Sequence, residues 1–303
     1  MEPCYISLIP IDILNEIINK FLALTDKIHI FLTSKTLSQN ILISDLSSNT
    51  ITELALRQPM FENINNLKIA NNKNINQVSF LTNLTKLNIG RGTCFPSSSK
   101  LIHLKMFNNH MIVNISHLTS LTYLNAAYSY LTNINNLINL KKLDLTNAHF
   151  IRDIDNLTNL IHLRMSHSRI FQSNINNLVN LTHLDINVNR YINDISHLTK
   201  ITWLDIGSSS NNIKQNSIDN LFNLTHLNIA NNINIKILTH LTNLTYLNAG
   251  GTYSNIRYTT ITNLYSLTDL SLNYDPIRKY QDLSQLTNLI KFNGRKYYLI
   301  KQL

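Results

Sequence analysis

Cysteine is scarce in this chain of 303 residues, and the shortage narrows the class of protein. Cys4 and Cys94 are too few for a disulfide framework, so we expect a reducing, intracellular location in the cytoplasm or nucleus. The first residues, MEPCYISLIPIDIL, lack the basic region and the small-residue cleavage site of a signal peptide. No apolar run approaches the roughly 20 residues of a membrane-spanning helix, so we predict no contact with a membrane.

The motifs of catalysis and nucleotide binding are missing as well. The chain contains no Walker loop and no GxGxxG, GxSxG, HExxH or CxxC sequence. We therefore predict that the protein is not an enzyme and uses no cofactor. Its net charge of +9 raises the question of nucleic acid, but the cations are scattered and form no arginine-rich run, which disfavours that partner.

A repeated phrase dominates the sequence. NLTHLDINVN at 180–189 recurs with new neighbours as NLTKLNIGRG at 83–92 and NLTHLNIANN at 223–232. The leucines that begin its L-x-[I/L/M/A] pair follow one another at steps of 17 to 23 residues. They are Leu67, Leu87, Leu104, Leu124, Leu143, Leu163, Leu184, Leu204, Leu227, Leu247 and Leu270, with Leu54 as a half-repeat before them and Phe292 as a degenerate one after them. A sustained period near 20 residues indicates a solenoid.

The spacing within the phrase predicts how each coil is built. Two apolar residues at i and i+2 point to one face of a short strand, and leucines three apart turn the chain inward before it. A single coil cannot bury these residues, but coils stacked about 4.8 Å apart can, with their strands in one parallel sheet. About ten residues remain for the return, which is enough for extended or single-turn structure only.

This pattern resembles the short-repeat branch of the leucine-rich-repeat proteins, LxxLxxLxLxxNxIxxIxx. The resemblance covers about residues 51–292, or about twelve coils. It implies a right-handed, curved parallel sheet, assigned to the α/β class by convention, with a short non-helical convex side. Residues 293–303 would form a C-terminal cap. The family's asparagine position is matched by four residues and replaced elsewhere, for example by Ser209 in the coil of Leu204. The four are Asn72, Asn109, Asn189 and Asn232.

The residues on either side of each strand leucine are the ones that change. In the resembled family this face of the sheet is concave and is the usual binding surface, so we predict that a protein partner binds here. The predicted contacts are Tyr123, Asp144, His162, Arg164, His183, Asp185, Trp203, Asp205, His226 and Tyr246. The alternative is that these residues diverged from one ancestral repeat by drift, without selection for a ligand. His162 and His183 lack a third ligand at zinc-like spacing, so no metal site is predicted.

Residues 1–50 do not follow the repeat, and we expect a small all-α domain there. Pro10 can start a helix, and Ile13, Leu14 and Ile17 follow helical spacing. Ile9-Pro10, Asp12 and the later Phe31-Leu32-Thr33-Ser34-Lys35 resemble an F-box, the module that docks a Skp-type adaptor of cullin ubiquitin ligases. The resemblance implies that the adaptor contacts five residues. They are Pro10, Ile13, Leu14, Ile17 and Leu32. The alternative is a helical cap over the first open coil.

The leading functional hypothesis combines the two segments. The helical domain would dock the ligase, and the repeats would select the protein that is ubiquitinated, with the chain itself a monomer. The runner-up is a stand-alone recognition protein that binds a host or surface protein, in which residues 1–50 serve only as a structural cap.

Overall fold

The computed structural model describes residues 45–47, 51–57, 61–272 and 283–296, which fall into two compact units, residues 1–131 and 132–303. Short strands recur in both. The first unit holds β1 (Asp45–Ser47), β2 (Asn66–Lys68), β3 (Lys86–Asn88), β4 (His103–Lys105) and β5 (Tyr123–Asn125). The second unit holds β6 (Lys142–Asp144), β7 (His162–Arg164), β8 (His183–Asp185), β9 (Trp203–Asp205), β10 (His226–Asn228), β11 (Tyr246–Ala249), β12 (Asp269–Leu272), β13 (Lys291–Phe292) and β14 (Arg295–Lys296).

Successive strands pair in parallel within each unit, from β1 to β5 and from β6 to β13. The register places the strand leucines side by side, as in the row Leu163, Leu184 and Leu204. Each of these leucines is buried, while the residue before it is at least partly exposed. The predicted period is confirmed: the described residues form a parallel-sheet solenoid of about 12 turns.

The core lies between the sheet and the returning segments. In one coil the corner leucines Leu178 and Leu181 and the strand residues Leu184 and Ile186 have no solvent-exposed surface. The returning segments consist of turns and extended chain, as the short repeat requires. Three of the longer coils add a single 3-10 turn on this side. These turns are Gln172–Asn174, Gln215–Ser217 and Tyr258–Thr260.

The prediction of a half-repeat at Leu54 is wrong. Residues Glu53–Leu56 form a short α-helix because the side chain of Thr52 accepts the N–H of Ala55 at 3.2 Å and caps the first turn. Leu54 is 74% exposed on this helix, whereas Leu56 is buried. The strand leucine of the first coil is Leu46, which is buried and pairs in register with Leu67.

Asparagine side chains satisfy the backbone where the chain leaves the sheet. All four predicted asparagines are buried and bond to backbone groups of their own loop and of the preceding coil. In the coil of Leu204 this role belongs to Asn211 instead of Ser209. Its amide donates to the carbonyl of Ile186 at 3.0 Å, and its oxygen accepts the N–H of Ile213 at 2.9 Å. Two extra residues in that coil shift the asparagine along the sequence.

The asparagine and threonine of the repeated NLT triplet also have structural roles. The Asn243 amide donates to the carbonyl of Phe222 in the preceding coil at 3.0 Å, and Asn223 does the same to Thr199 at 2.9 Å. The hydroxyl of Thr245 donates to the carbonyl of Thr225 at 3.1 Å, one coil before it. These bonds explain why the triplet recurs: its polar side chains fasten each coil to its neighbour.

The predictions for the chain ends have mixed outcomes. The sheet already begins at Asp45, inside the range 1–50 assigned to the helical domain. The helices predicted within 8–42 and the residues 297–303 of the predicted cap lie outside the described residues. β14 pairs with β13 in antiparallel fashion through Asn293-Gly294, both with positive φ, as a tight hairpin requires. Among the helices that the structure describes, none has the length and apolarity to cross a membrane.

Candidate functional site

The second unit presents a row of aromatic rings on the open face of its sheet. Five successive strands, β7 to β11, each carry a ring on the residue just before the buried strand leucine. We call this row the ring ribbon. It consists of His162, His183, Trp203, His226 and Tyr246. Four strand spacings separate its ends, or about 19 Å. None of the five side chains is buried, because alternation along the strand turns them away from the core.

Three of the four neighbouring pairs of rings in the ribbon are stacked. The ring centroids of His162 and His183 are 4.0 Å apart with an interplanar angle of 16°. Those of His183 and Trp203 are 6.4 Å apart at 15°, and those of His226 and Tyr246 are 5.8 Å apart at 17°. Stacking of this kind restricts the rings before any partner arrives, so less side-chain entropy is lost on binding.

Two threonines orient histidines of the ribbon. The hydroxyl of Thr182 donates to the carbonyl of Ile161 at 3.3 Å and lies 2.8 Å from Nδ1 of His183. This contact fixes the orientation of the His183 ring. Thr225 makes the same contact to Nδ1 of His226 at 2.9 Å. In the neutral form each histidine has one ring nitrogen that accepts a hydrogen bond.

The histidines at the start of the ribbon favour the neutral state. Burial lowers the pKa of His162, and the neighbouring charges of His183 and Lys142 lower it further. The pKa of His183 is lowered by the same burial and then by Lys142 and His226. At neutral pH this part of the ribbon is thus an uncharged, polarizable surface with hydrogen-bond acceptors.

The predicted aspartates beside the ribbon hold the chain where it leaves each strand. Asp144 accepts the N–H of Thr146 at 3.0 Å, Asp185 that of Asn187 at 3.1 Å, and Asp205 that of Gly207 at 3.0 Å. Other coils make the same two-residue bond with asparagine, since an amide oxygen accepts equally well. The spacing of the repeats in the sequence shows that these aspartates border the open face of the sheet. It does not show that each accepts the backbone N–H two residues later.

Arg164 links two of these carboxylates across three strands. Its guanidinium lies 3.7 Å from Asp144 and 3.4 Å from Asp185, although its side chain is 61% exposed. Asp185 is only 5% exposed and also accepts the hydroxyl of Ser166. Asp185 therefore supports the surface and presents no open carboxylate. Arg164 remains accessible, with its charge balanced by its neighbours.

Asp205 has a different environment from the other two aspartates. Its carboxylate accepts the amides of Asn187 at 3.2 Å and Asn228 at 2.9 Å. Burial raises its pKa, and the nearby charge of Asp185 acts in the same direction, while the hydrogen bonds oppose the rise. This network ties β9 to β10 and to the chain that follows β8.

The remaining predicted residues fall elsewhere. Tyr123 belongs to the first unit, where its ring stacks on His103 with centroids 3.9 Å apart and planes 3° apart. The predicted contacts do not include His103, although it occupies the same position in its repeat. The five predicted adaptor contacts, from Pro10 to Leu32, lie outside the described residues. Within the described ranges, no three His, Cys, Asp or Glu side chains form a group that could hold a metal ion.

Solved structures of other proteins share this architecture. An internalin, InlF, of Listeria monocytogenes superposes with a TM-score of 0.66 at 26% identity, over 85% of this chain and 82% of its own. The functional domain of InlJ from the same organism has a TM-score of 0.54 at 24% identity, over 86% of this chain and 60% of its own. A leucine-rich-repeat protein of Leptospira interrogans has a TM-score of 0.54 at 18% identity, over 86% of both chains. The fold is a leucine-rich-repeat solenoid.

The leucine-rich-repeat fold explains why the buried residues recur in every repeat. The residues of the ring ribbon are at least partly exposed, and they vary among the repeats. No protein-family model and no curated protein matches the chain. The structural neighbours indicate no catalytic family. An F-box segment is not among the features that these neighbours support.

Proposed function

We propose that this leucine-rich-repeat solenoid binds another protein through the open face of its second unit, with the ring ribbon as the principal contact. The observation that carries the proposal is the row of five rings on five successive strands, in which His162, His183 and Trp203 stack in sequence and His226 stacks on Tyr246. Aromatic residues are enriched among the side chains that dominate binding energy at protein interfaces. A strip of about 19 Å is long enough for an extended peptide segment or part of a folded epitope.

Drift of an ancestral repeat explains the ribbon less well. The leucine after the ring recurs in all five strands and the threonine before it in four, because both hold the coil together, as the bonds of Thr182 and Thr245 illustrate. At the ring position, by contrast, the residue type varies among the repeats. Trp203 and Tyr246 replace the histidine of the THL phrase, yet the position stays aromatic through all five strands.

Affinity capture with the full chain tests this proposal. The Trp203→Ala/Tyr246→Ala variant should lose the specific partner that the unchanged protein retains. Phe222→Ala/Tyr265→Ala is the matched control, because it removes two exposed aromatic rings that lie outside the ribbon, between the corner leucines that precede β10 and β12. Equal capture by the ribbon variant and the unchanged protein, with both correctly folded, would refute the role of the ribbon.

In its finer form, the proposal makes the protein a substrate-recruiting adaptor of a cullin-type ubiquitin ligase. Support comes from the F-box-like sequence of residues 8–42, including Ile9-Pro10 and Phe31-Leu32. The experiment is co-purification with a Skp-type adaptor, which the Pro10→Ala/Leu14→Asp variant should abolish. The ribbon variant should retain the adaptor, since the ribbon would contact the substrate. No binding by the unchanged protein would exclude this form.

A stand-alone recognition protein is the second candidate. The likeness to the Listeria internalin InlF, at 26% identity over most of both chains, favours it. This form predicts that the Pro10→Ala/Leu14→Asp variant keeps its full affinity for the ribbon's partner and that no Skp-type adaptor co-purifies. Cell fractionation gives an independent measurement, because a protein that binds a surface receptor must be found outside the cell that makes it.

A further inference from the structure

The open face of the first unit carries a pocket of about 140 Å³ over strands β2 to β4. Leu87 contributes to its lining, and polar or basic side chains make up the rest. These are Asn66, Lys68, Lys86, Asn88, His103 and Lys105. The pocket therefore gathers three ammonium groups and one imidazole and contains no acidic side chain. We call it the basic pocket.

The sheet register brings the lysines together from three strands. Lys68 and Lys105 lie on either side of Asn88, in the position after the strand leucine. Lys86 lies between Asn66 and His103, in the position before it. Neighbouring strands are about 4.8 Å apart, so all three amines can reach one group that enters above β3.

The charge of the basic pocket is not balanced from within. Arg164 occupies the corresponding position in the second unit and has a carboxylate on each side, from Asp144 and Asp185. In the described part of the chain, no ion pair involves any of the three pocket lysines. Three like charges gathered without a counterion repel one another, and an anion in the pocket would relieve that repulsion.

His103 forms one wall of the pocket, and its pKa responds to the positive charge of the lysines. Its pKa is lowered first by burial and then by the charges of Lys105 and Lys86. Its ring is held flat against Tyr123, and the ammonium of Lys105 lies 5.8 Å from the centroid of that tyrosine. The wall is thus a fixed aromatic pair whose imidazole resonances can report an arriving charge.

We propose that the basic pocket receives carboxylate side chains from an acidic segment of a protein partner. The pocket is built from lysines and lacks the arginine fork or helix N-terminus that typically holds a phosphate. It lies on the open face of the first unit's own sheet, at the repeat positions that the proposed function assigns to partner binding in the second unit, and the inference rests on that function for the partner's class. The basic pocket would recognise its ligand by negative charge, whereas the ring ribbon would recognise its partner through aromatic contacts.

Titration of the full-length protein with a capped hexaglutamate peptide tests the inference directly, without the natural partner. The peptide should bind, should shift the His103 ring resonances at fixed pH, and should bind more weakly as salt screens the charges. The variant Lys68→Gln/Lys86→Gln/Lys105→Gln should bind about tenfold more weakly, because three amine–carboxylate contacts are lost. A hexaglutamine peptide should leave the resonances unchanged.

The matched control removes the same total charge elsewhere. Lys73→Gln/Lys100→Gln/Lys236→Gln changes three exposed lysines that do not line the pocket, and it should bind hexaglutamate like the unchanged protein. Equal weakening in both variants would reduce the binding to net charge and overturn the proposal. So would an absence of binding, or inorganic phosphate that binds as tightly as the peptide. None of these results alters the test of the ring ribbon, which lies on other residues.

Discussion

Replacing Asn109 by leucine should destabilise the first unit more than its single side chain suggests. Asn109 is fully buried at the exit of β4, and its amide donates to the carbonyls of Gly90 and Gly92, both at 2.9 Å. Its oxygen accepts the N–H of Ile112 at 3.0 Å. Leucine has a similar volume but neither donor nor acceptor, so it leaves these three backbone groups without their partner.

The magnitude follows from those three buried bonds. A buried backbone group that loses its partner costs about 1–3 kcal/mol, so the three together cost about 6 kcal/mol. Burial of the leucine side chain returns about 2 kcal/mol. The expected net loss in free energy of unfolding is about 4 kcal/mol, which is a large fraction of the stability of a typical domain.

Urea-induced unfolding followed by far-UV circular dichroism measures this loss. The matched control is Asn83→Leu, because Asn83 bonds to the preceding coil from an exposed position. It should cost less than about 0.5 kcal/mol. A loss below about 1 kcal/mol for Asn109→Leu would refute the view that buried asparagines hold the coils by satisfying backbone groups.

Three further predictions concern the second unit. Leu184→Ala should cost about 2–5 kcal/mol in the free energy of unfolding, because Leu184 is fully buried and the change leaves a cavity. Val188→Asn should stabilise the protein by about 1 kcal/mol, because Val188 has a φ of 56°, which strains a β-branched residue and suits asparagine. Stability should also fall as the pH drops below about 6.5, because the pKa values of His162 and His183 are lowered from the ordinary 6.5 in the folded state, so the unfolded chain takes up protons first.

Each of these predictions has a control and a contrary result. Val179 is 47% exposed, so Val179→Ala should leave the free energy of unfolding nearly unchanged. An equally small loss for Leu184→Ala would contradict the position of Leu184 in the core. A destabilised Val188→Asn variant would show that strain at that residue is not limiting. The His162→Gln/His183→Gln variant should lose part of the stability change between pH 7 and pH 5, and an unchanged pH profile would assign that change to other groups.

The sequence predicts the repeating elements well because one physical rule governs them all. Wherever the pair L-x-[I/L/M/A] recurs at the period, its leucine lies in a strand, as Leu67 and Leu270 do. The rule fails where a local interaction competes. At Leu54 the cap from Thr52 favours a helix, and two extra residues transfer the ladder role from Ser209 to Asn211.

The sequence predicts which residues border each strand leucine, but it does not predict what their side chains contact. Alternation along a strand places His183 and Asp185 on either side of a buried leucine, and the structure has both there. Only three-dimensional neighbours show that Asp185 is enclosed by Arg164 and Ser166. The unbalanced charge of the basic pocket also cannot be predicted from the sequence alone, because it depends on which residues of three different repeats lie side by side.

Trp203 makes the central claim directly measurable, since it is the only tryptophan in the chain and lies in the middle of the ring ribbon. Its fluorescence should be recorded while the captured partner is added to the unchanged protein. If the partner binds at the ring ribbon, emission should change saturably and Trp203 should be protected from acrylamide quenching, at the same partner concentrations that give binding by calorimetry. Binding by calorimetry with unchanged emission and unchanged quenching of Trp203 would place the partner elsewhere on the protein and rule out the ring ribbon as its binding site.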